Sequence, residues 1–565
     1  MKYLPDWLLR YRRAWLAGDL TAGVIVTVML IPQSLAYALL AGLPPEVGLY
    51  ASILPIVAYA LFGTSMTLAV GPVAVASLMT ASALQPLAAA GSPEYIALAV
   101  QLSLLSGVML LAFGVLRLGF LAYFLSHPVI SGFITGSAVL IATGQLKHIL
   151  GVKVTGTDML DIVTGLWHAL PQTRPVTLII GAGSLLFLWA AKNFLSRILV
   201  RIGVPAGAAD ISAKLAPMFA VIASTTVVAI FRLDETAGVS VVGLVPSGLP
   251  QISLAIPGAS TIGHLWLPAL LISLIGFVES VSVAQSLALK RQQRIRPDRE
   301  LLGLGVANVA SALSGGYPVT GGFARSVVNF AAGAQTPLAG VISAALMAVV
   351  IASLTGLFHY LPQAVLAATI IIAVTSLIDT ATLKETWHYD RADALSLIAT
   401  AVGVIALGVE AGILAGVTLS LGVLVWRSSR PHIARIGRVP GTEHFRNVAR
   451  HKVETVPGLL ALRVDESLYF ANASAFEDRV EALVAADPAT RNVLLVCSAI
   501  NQIDATALGV LDQLEQSLAK RGIRFMLAEV KGPVMDRLST TNLGRRLRDR
   551  VFLSTHDAFT RVAAA

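Results

Sequence analysis

The chain has 565 residues, 56% hydrophobic and 13% charged, with a formal net charge of +9 and one cysteine, and its mean hydropathy is +0.76. Soluble domains carry about 25% charged residues, so these values exclude a wholly soluble protein and put most of the chain in lipid. A pI near 9.7 would suit nucleic acid, but the basic residues scatter over loops and a tail, so the expected anionic surface is lipid rather than nucleic acid.

In chain order, the start MKYLPDWLLRYRRAWLAGDL lacks a signal-peptide cleavage pattern. Residues 1–18 read as a cytoplasmic interfacial segment anchored by Trp7 and Trp15. Hydrophobic segments follow at 20–41, 47–62, 72–86, 95–115, 119–145, 175–191, 215–231, 265–289, 301–313, 321–334, 338–356, 361–377, 393–408 and 410–426. They make a polytopic α-helical protein of fourteen spans, several shorter than the roughly 20 residues a full span needs. An even count puts both termini on one side. Arg10, Arg12, Arg13, Lys192, Arg197, Arg201, Lys290, Arg291, Arg294 and Arg296 all fall on that side, whereas Lys147, Lys153, Arg174 and Arg232 fall opposite. The bias over all loops, roughly four to one, makes both termini cytoplasmic in a cell membrane, an inner membrane where there are two.

The first span carries Pro32, which frees a carbonyl and bends a helix. Gln33 and Tyr37 follow at helical spacing toward the same interior; the alternative is a packing kink with Gln33 bonded to a neighbouring helix. Two later segments are interrupted by glycine and proline at matching places in the two halves. They are residues 63–79 (GTSMTLAVGPVAVASLM) and 315–330 (GGYPVTGGFARSVVNF). Each lies roughly fifty residues after the first span of its half, as nested inverted repeats require. A helix broken inside the membrane is tolerated only where its freed backbone lines a cavity or is buried in protein. Such broken ends direct partial positive charge at anionic substrates.

Two charged residues stand inside apolar runs. Arg325 adds a full positive charge and a donor fork suited to oxyanions; its structural alternative is pairing with a carboxylate or with capping carbonyls. Glu279 lies in LWLPALLISLIGFVESVSVAQSLALK, where a carboxyl can carry a proton in step with substrate, support sodium with Ser280, Ser282 and Gln285, or pair with Arg325. The glycines of residues 408–422 (GVEAGILAGVTLSLG) have the spacing of closely packed helices. Glu410 reads as a loop or interface group.

After Arg427 the text becomes soluble, with a linker at 431–457 and βα alternation over 458–565. The strands are LLALRV, LYFAN, NVLLVCS and RFMLAEV, with helices near 474–485, 507–520 and beyond 534. Cys497 reads as a buried small hydrophobe. No acid, base and nucleophile constellation, metal cluster or nucleotide loop can be assembled, so an enzyme is not expected.

The runs IPQSLAYALLAGLPPEVGLYASILP (31–55), GTSMTLAVGPVAVASLM, FVESVSVA (277–284) and PVTGGFARSVVN (318–329) together resemble the sulfate permease family, SulP, known in animals as solute carrier family 26. The resemblance covers nearly the whole chain. It implies a seven-plus-seven inverted repeat, here about 19–231 and 265–426 within a transport domain at 19–430, with core and gate domains. It further implies a cytoplasmic STAS domain and a homodimer. The family's anion site would fall on Gly71, Pro72, Val73 and Ala74 opposite Gly321, Gly322, Phe323, Ala324 and Arg325, with Gln33 and Tyr37 contributing. Members often carry serine where this chain has Ala324. The Glu279 position is linked in the family to cation coupling, and glutamate there favours a proton over sodium. The tail resembles a STAS domain, including IDATALGVL at 503–511, in which Thr506 aligns with the phosphorylated serine of soluble anti-sigma antagonists. A polar residue before a helix is first of all a cap, so Thr506 is expected to cap.

These readings converge on a secondary active transporter of small inorganic anions, sulfate first by family frequency, proton-coupled and working by alternating access. Sodium-coupled bicarbonate transport, dicarboxylate transport, anion exchange and an anion channel are the alternatives. From another class, the alternative is a membrane-anchored STAS protein that binds a cytosolic partner.

Overall fold

Proline and glycine punctuate the helices of this chain. The computed structural model describes residues 5–123, 126–154 and 159–564. It divides into two compact units, Met1–Thr418 and Leu419–Ala565.

In the first unit, eight helical stretches among the described residues are long and apolar enough to cross a bilayer. They are Arg13–Leu40, Pro45–Phe62, Pro93–Val115, His127–Leu150, Pro175–Arg201, Ala259–Leu289, Gln363–Tyr389 and Val409–Ser428, the last extending past Thr418. Ala74–Leu84, Ala216–Phe231 and Leu338–Ser353 are shorter and also apolar. Pro93, Pro175 and Pro297 sit in the first turns of their helices, where the missing N–H costs nothing. Gly151, at φ 70°, ends His127–Leu150 in the left-handed conformation that glycine adopts without strain.

Every expected segment overlaps a helix, with three changes of outline. Segment 47–62 breaks into Pro45–Tyr50 and Leu54–Phe62. Segment 119–145 opens in a 3-10 turn, Leu118–Tyr123, and its long helix starts only at His127. Segment 175–191 runs on through a π turn, Ala191–Leu195, to Arg201. The helices Met159–Ala169, Ala206–Lys214 and Thr380–Tyr389 were not expected. Apolar side chains such as Ile179 and Ile230 remain about 70% exposed, as lipid-facing residues are.

Small residues set the closest helix contacts, as residues 408–422 led one to expect. A methyl on Gly412 or Gly416 would collide with Val404 or Thr400 of Arg391–Leu407. One on Gly107 would lie 2.9 Å from the Gly305 carbonyl, so Pro93–Val115 and Pro297–Leu313 touch backbone to backbone. Tyr59, Leu68, Met79, Phe277 and Tyr317 belong to one hydrophobic cluster, and Leu30, Tyr37, Ala74, Met347 and Leu366 to a second.

The second unit holds a six-stranded sheet whose strands lie in the order Phe445–Asn447, Ile433–Arg438, Leu459–Val464, Asn492–Val496, Arg524–Ala528 and Val551–Phe552. β5 (Leu459–Val464), β6 (Asn492–Val496), β7 (Arg524–Ala528) and β8 (Val551–Phe552) run parallel. Side chains of Ala473–Ala486 and Ala505–Lys520 join one face of this sheet in a core with Leu462, Leu495 and Phe525; those of Thr555–Ala563 cover the other with Ala461, Leu494 and Met526. The expected linker at 431–457 is instead partly sheet. β3 (Ile433–Arg438) pairs antiparallel with β5, and β4 (Phe445–Asn447) pairs with β3. LYFAN is not a strand: Leu468 makes one bridge to Ile503, and a turn follows in which Asn472 accepts from the Tyr469 N–H at 3.0 Å. Cys497 is buried, and burial pushes its thiol up to about 12. Thr506 does not cap. Asp504 holds the cap position of Ala505–Lys520 and accepts from Ala507 N–H at 2.8 Å, while Thr506 is exposed in the first turn.

Candidate anion-binding site

The two interrupted segments meet. Residues Val70–Gly71 form β1 and Thr320–Gly321 form β2, paired antiparallel with Val70 opposite Gly321 and Gly71 opposite Thr320. Each strand leads into a short helix, Ala74–Leu84 after β1 and Phe323–Ala331 after β2. The residues preceding them, Val73 and Gly322, are extended and supply no side-chain cap. The first N–H groups of both helices therefore lack helical partners beside one another, with the partial positive charge of two helix ends.

Arg325 stands in the first turn of the second half-helix, 2% exposed, and neither terminal guanidinium nitrogen has a hydrogen-bond partner. Its place is set by glycine. A Cβ on Gly71 would lie 3.4 Å from Nη2, and one on Gly322 3.1 Å from it. The expected contributors of the first span are close by. The proline-bent helix Leu16–Leu40 packs against both half-helices, and Tyr37 is within electrostatic reach of Arg325. Gln33 and Tyr37 are each 8% exposed, and among the described residues neither side chain hydrogen-bonds to another protein group. Gly71, Pro72, Val73, Ala74, Gly321 and Gly322 are buried, whereas Phe323 and Ala324 are exposed. The second half-helix thus leaves its first two residues exposed and keeps the charge behind them.

Glu279 is the expected residue that is not brought into this arrangement. It influences Arg325 electrostatically but makes no ion pair with it among the described residues. The two line different small cavities of about 20 Å³, Glu279 among Val129, Phe133 and Ile413, and Arg325 among Leu30, Tyr59 and Asn329. Each has room for about one water.

The chain matches the description of the Sulfate permease family over residues 16–400 and that of the STAS domain over residues 450–558. The chain belongs to the sulfate permease family. Among curated relatives it is 35% identical over 572 residues to Sulfate transporter 4.1, chloroplastic, of Arabidopsis thaliana, covering 98% of this chain and 81% of the relative. It is 32% identical over 570 residues to High affinity sulfate transporter 2 of Stylosanthes hamata, covering 98% and 85%. Among solved structures, murine Solute Carrier 26 family member A9 in the inward-facing state superposes with a TM-score of 0.91 at 23% identity, covering 100% of this chain and 94% of that one. The transmembrane domain of a cyanobacterium bicarbonate transporter superposes with a TM-score of 0.61 at 24% identity, over 72% of this chain and 98% of that one. These likenesses establish the fold.

Polar residues outside the expected anion-binding set hold this SulP site together. Ser280 accepts from Gly321 N–H at 2.8 Å and donates to the Gly276 carbonyl at 2.6 Å, tying β2 to Ala259–Leu289. Ser326 accepts from Ala69 N–H, and Asn308 bonds both N–H and carbonyl of Val319 at 2.9 Å. Two fully buried carboxylates clasp the flanking chain with the same set of donors. Glu300 accepts from Thr64 N–H, Ser65 N–H, the Thr64 hydroxyl and the Tyr59 hydroxyl. Asp19 accepts from Gln335 N–H, Thr336 N–H, the Thr336 hydroxyl and the Tyr11 hydroxyl. The first clasp fixes the chain entering the first half-helix and the second fixes the chain leaving the second. An acidic residue in the first turn of each helix, PDRE for Glu300 and LAGD for Asp19, was the available signal.

Proposed function

We propose that this SulP protein is a secondary active transporter of small oxyanions, sulfate first, and that it holds the anion between the N-termini of the two half-helices. The observation that carries the reading is Arg325, a buried guanidinium with no partner beside two uncapped helix ends. A charge left unpaired in a low-dielectric interior is costly unless a ligand completes it. Gln33 and Tyr37 add polar atoms without protein partners, and tight glycine packing lets backbone N–H groups approach the anion. Relatives named as sulfate transporters, 32% to 35% identical over nearly the whole chain, favour sulfate.

The finer reading is a fourteen-span, seven-plus-seven inverted repeat in the cell membrane, both termini cytoplasmic, working as a homodimer by movement of a core against a gate. Glu279 takes up a proton in step with the anion; its apolar surroundings and lack of an ion pair support that assignment.

The test is uptake of radiolabelled sulfate into proteoliposomes under an inward proton gradient and, separately, an inward sodium gradient. Proton-driven uptake that loses its pH dependence in Glu279→Gln is expected. Sodium-driven uptake would make sodium rather than the proton the coupling ion, and unchanged pH dependence in that variant would remove Glu279 from the coupling role; absence of sulfate transport under both gradients would overturn sulfate as the substrate.

A further inference from the structure

A second polar cavity, of about 220 Å³, lies at the far end of the first half-helix. That half-helix has 11 residues and spans roughly 16 Å. Its N-terminus faces Arg325, and its C-terminal turn contributes Ser82 and the adjoining Gln85 to the cavity. The last turn of the proline-bent helix, just beyond Tyr37, supplies another wall. The remaining polar groups come from His127–Leu150: Gln145, Lys147 and His148.

These groups are arranged for a ligand. Gln145 is 5% exposed, and among the described residues neither Gln145 nor Ser82 has a side-chain hydrogen bond to the protein. Among the described residues the Lys147 ammonium has a single acceptor, the Val154 carbonyl, at 3.5 Å, the outer limit of a hydrogen bond. Among the described residues no carboxylate lines the cavity. A cation, two unpartnered amide or hydroxyl groups and no competing anion describe a site for a negatively charged solute. The volume equals that of several waters, enough for a partly hydrated oxyanion. Leu78, one turn into the half-helix, lines the cavity and packs against both hydrophobic clusters, so it stands between the two polar regions.

We propose that this cavity is a second anion station, at which a small oxyanion is held by Lys147, Gln145 and Ser82 on its way between the outer solution and the Arg325 site. The inference rests on the transport reading and adds to it a place where the substrate pauses. With the first span running outward from the cytoplasm, the station lies toward the outer face.

The test uses the full chain in detergent and equilibrium binding of radiolabelled inorganic sulfate. Arg325→Gln removes the central site and should leave a weaker binding component. Adding Lys147→Gln should abolish that component, Gln145→Leu should weaken it about tenfold, and Lys147→Arg, which keeps the charge, should retain it. In cells, Lys147→Gln alone should raise the apparent KM for external sulfate about tenfold with little change in maximal rate. No residual binding in Arg325→Gln, where wild type binds sulfate, would overturn the station and leave the transport reading intact. Residual binding indifferent to both Lys147 and Gln145 would do the same. Wild type that neither binds nor transports sulfate would refute the station and remove sulfate as the substrate.

Discussion

Arg325→Gln separates a ligand-binding arginine from a structural one, because the two make opposite predictions for stability. The gross attraction between a guanidinium and a dianion about 4 Å away is about 8 kcal/mol at an effective dielectric of about 20. Desolvation of both partners cancels much of it, and breaking a buried charged pair in a complex costs about 2–4 kcal/mol net. At about 1.4 kcal/mol per tenfold, the apparent KM for sulfate should rise about 30- to 700-fold. Without ligand the sign reverses. Both terminal nitrogens are buried and unbonded, so neutralising them relieves a desolvation cost. The melting temperature of the sulfate-free variant in detergent should equal or exceed that of wild type. Wild type at 100 times its Kd should gain about 2.7 kcal/mol of stability from sulfate, and the variant should gain less than about 1 kcal/mol at that concentration. Proteoliposome uptake and thermal unfolding with and without sulfate measure the three quantities. A variant that melts several degrees lower yet keeps its KM would refute the reasoning and make Arg325 structural.

Gly71→Ala puts a methyl 3.4 Å from Arg325 Nη2 at a residue with φ 152°. Backbone strain of about 1–2 kcal/mol and occlusion of the guanidinium should lower sulfate uptake about tenfold without loss of expression; full uptake would show that the space between Gly71 and Arg325 is not used. Glu300→Gln replaces one acceptor oxygen by a donor against four donors already in place, orphaning at least one at about 1–3 kcal/mol. Its thermal midpoint should fall by a few degrees, and an unchanged midpoint would mean the clasp is dispensable. In the STAS domain, Asp504 is held below the usual carboxylate range by the N–H of Ala507 and then that of Phe470. A depressed folded pKa gives stability that is present above the unfolded value of about 3.9 and is lost as pH falls through the folded value. Asp504→Ala should therefore melt lower than wild type at pH 7, with the gap closing as the pH drops below 4; a gap that persists there would assign the effect to packing.

How much of this was legible follows from how strongly each feature is marked locally. Long apolar runs admit few readings, so the apolar helices of the first unit were found from sequence, whereas Met159–Ala169, Ala206–Lys214 and Thr380–Tyr389 were not. Arg325, Gln33 and Tyr37 stood out because a polar group inside such a run must answer to something. Serines gave a weaker sign, and Ser280 and Ser282 stood out only as groups that could support sodium beside Glu279. Ser273, Ser282 and Ser343 all bond the carbonyl four residues back in their own helices, and so does Ser280. What distinguishes Ser280 from Ser282 is a second segment, from which Gly321 N–H and the Thr320 hydroxyl approach it. Two of the missed strands, β3 and β4, fail for a related reason. β4 is three residues, FRN, at the edge of the sheet, and β3 is a strand through its antiparallel partner β5 rather than through its own alternation. Thr506 was expected to cap because it is polar and precedes a helix; the cap went to Asp504, whose extended backbone, φ −84° and ψ 176°, leads into the helix and brings its carboxylate to the free N–H groups.

The strongest argument for the site comes from comparing its charges. Asp19, Glu300 and Arg325 are buried to 0%, 0% and 2% exposure in the same unit. Asp19 and Glu300 each accept four hydrogen bonds, which is what burying a carboxylate requires. This protein can therefore saturate a buried charge where structure is the purpose. At Arg325 it has placed Gly71 and Gly322, with no side chain to offer, and an electrostatic neighbour, Glu279, that forms no pair with it. A structural arginine would have its acceptors built in, as the two carboxylates have their donors. The acceptors missing around Arg325 are those a bound oxyanion brings.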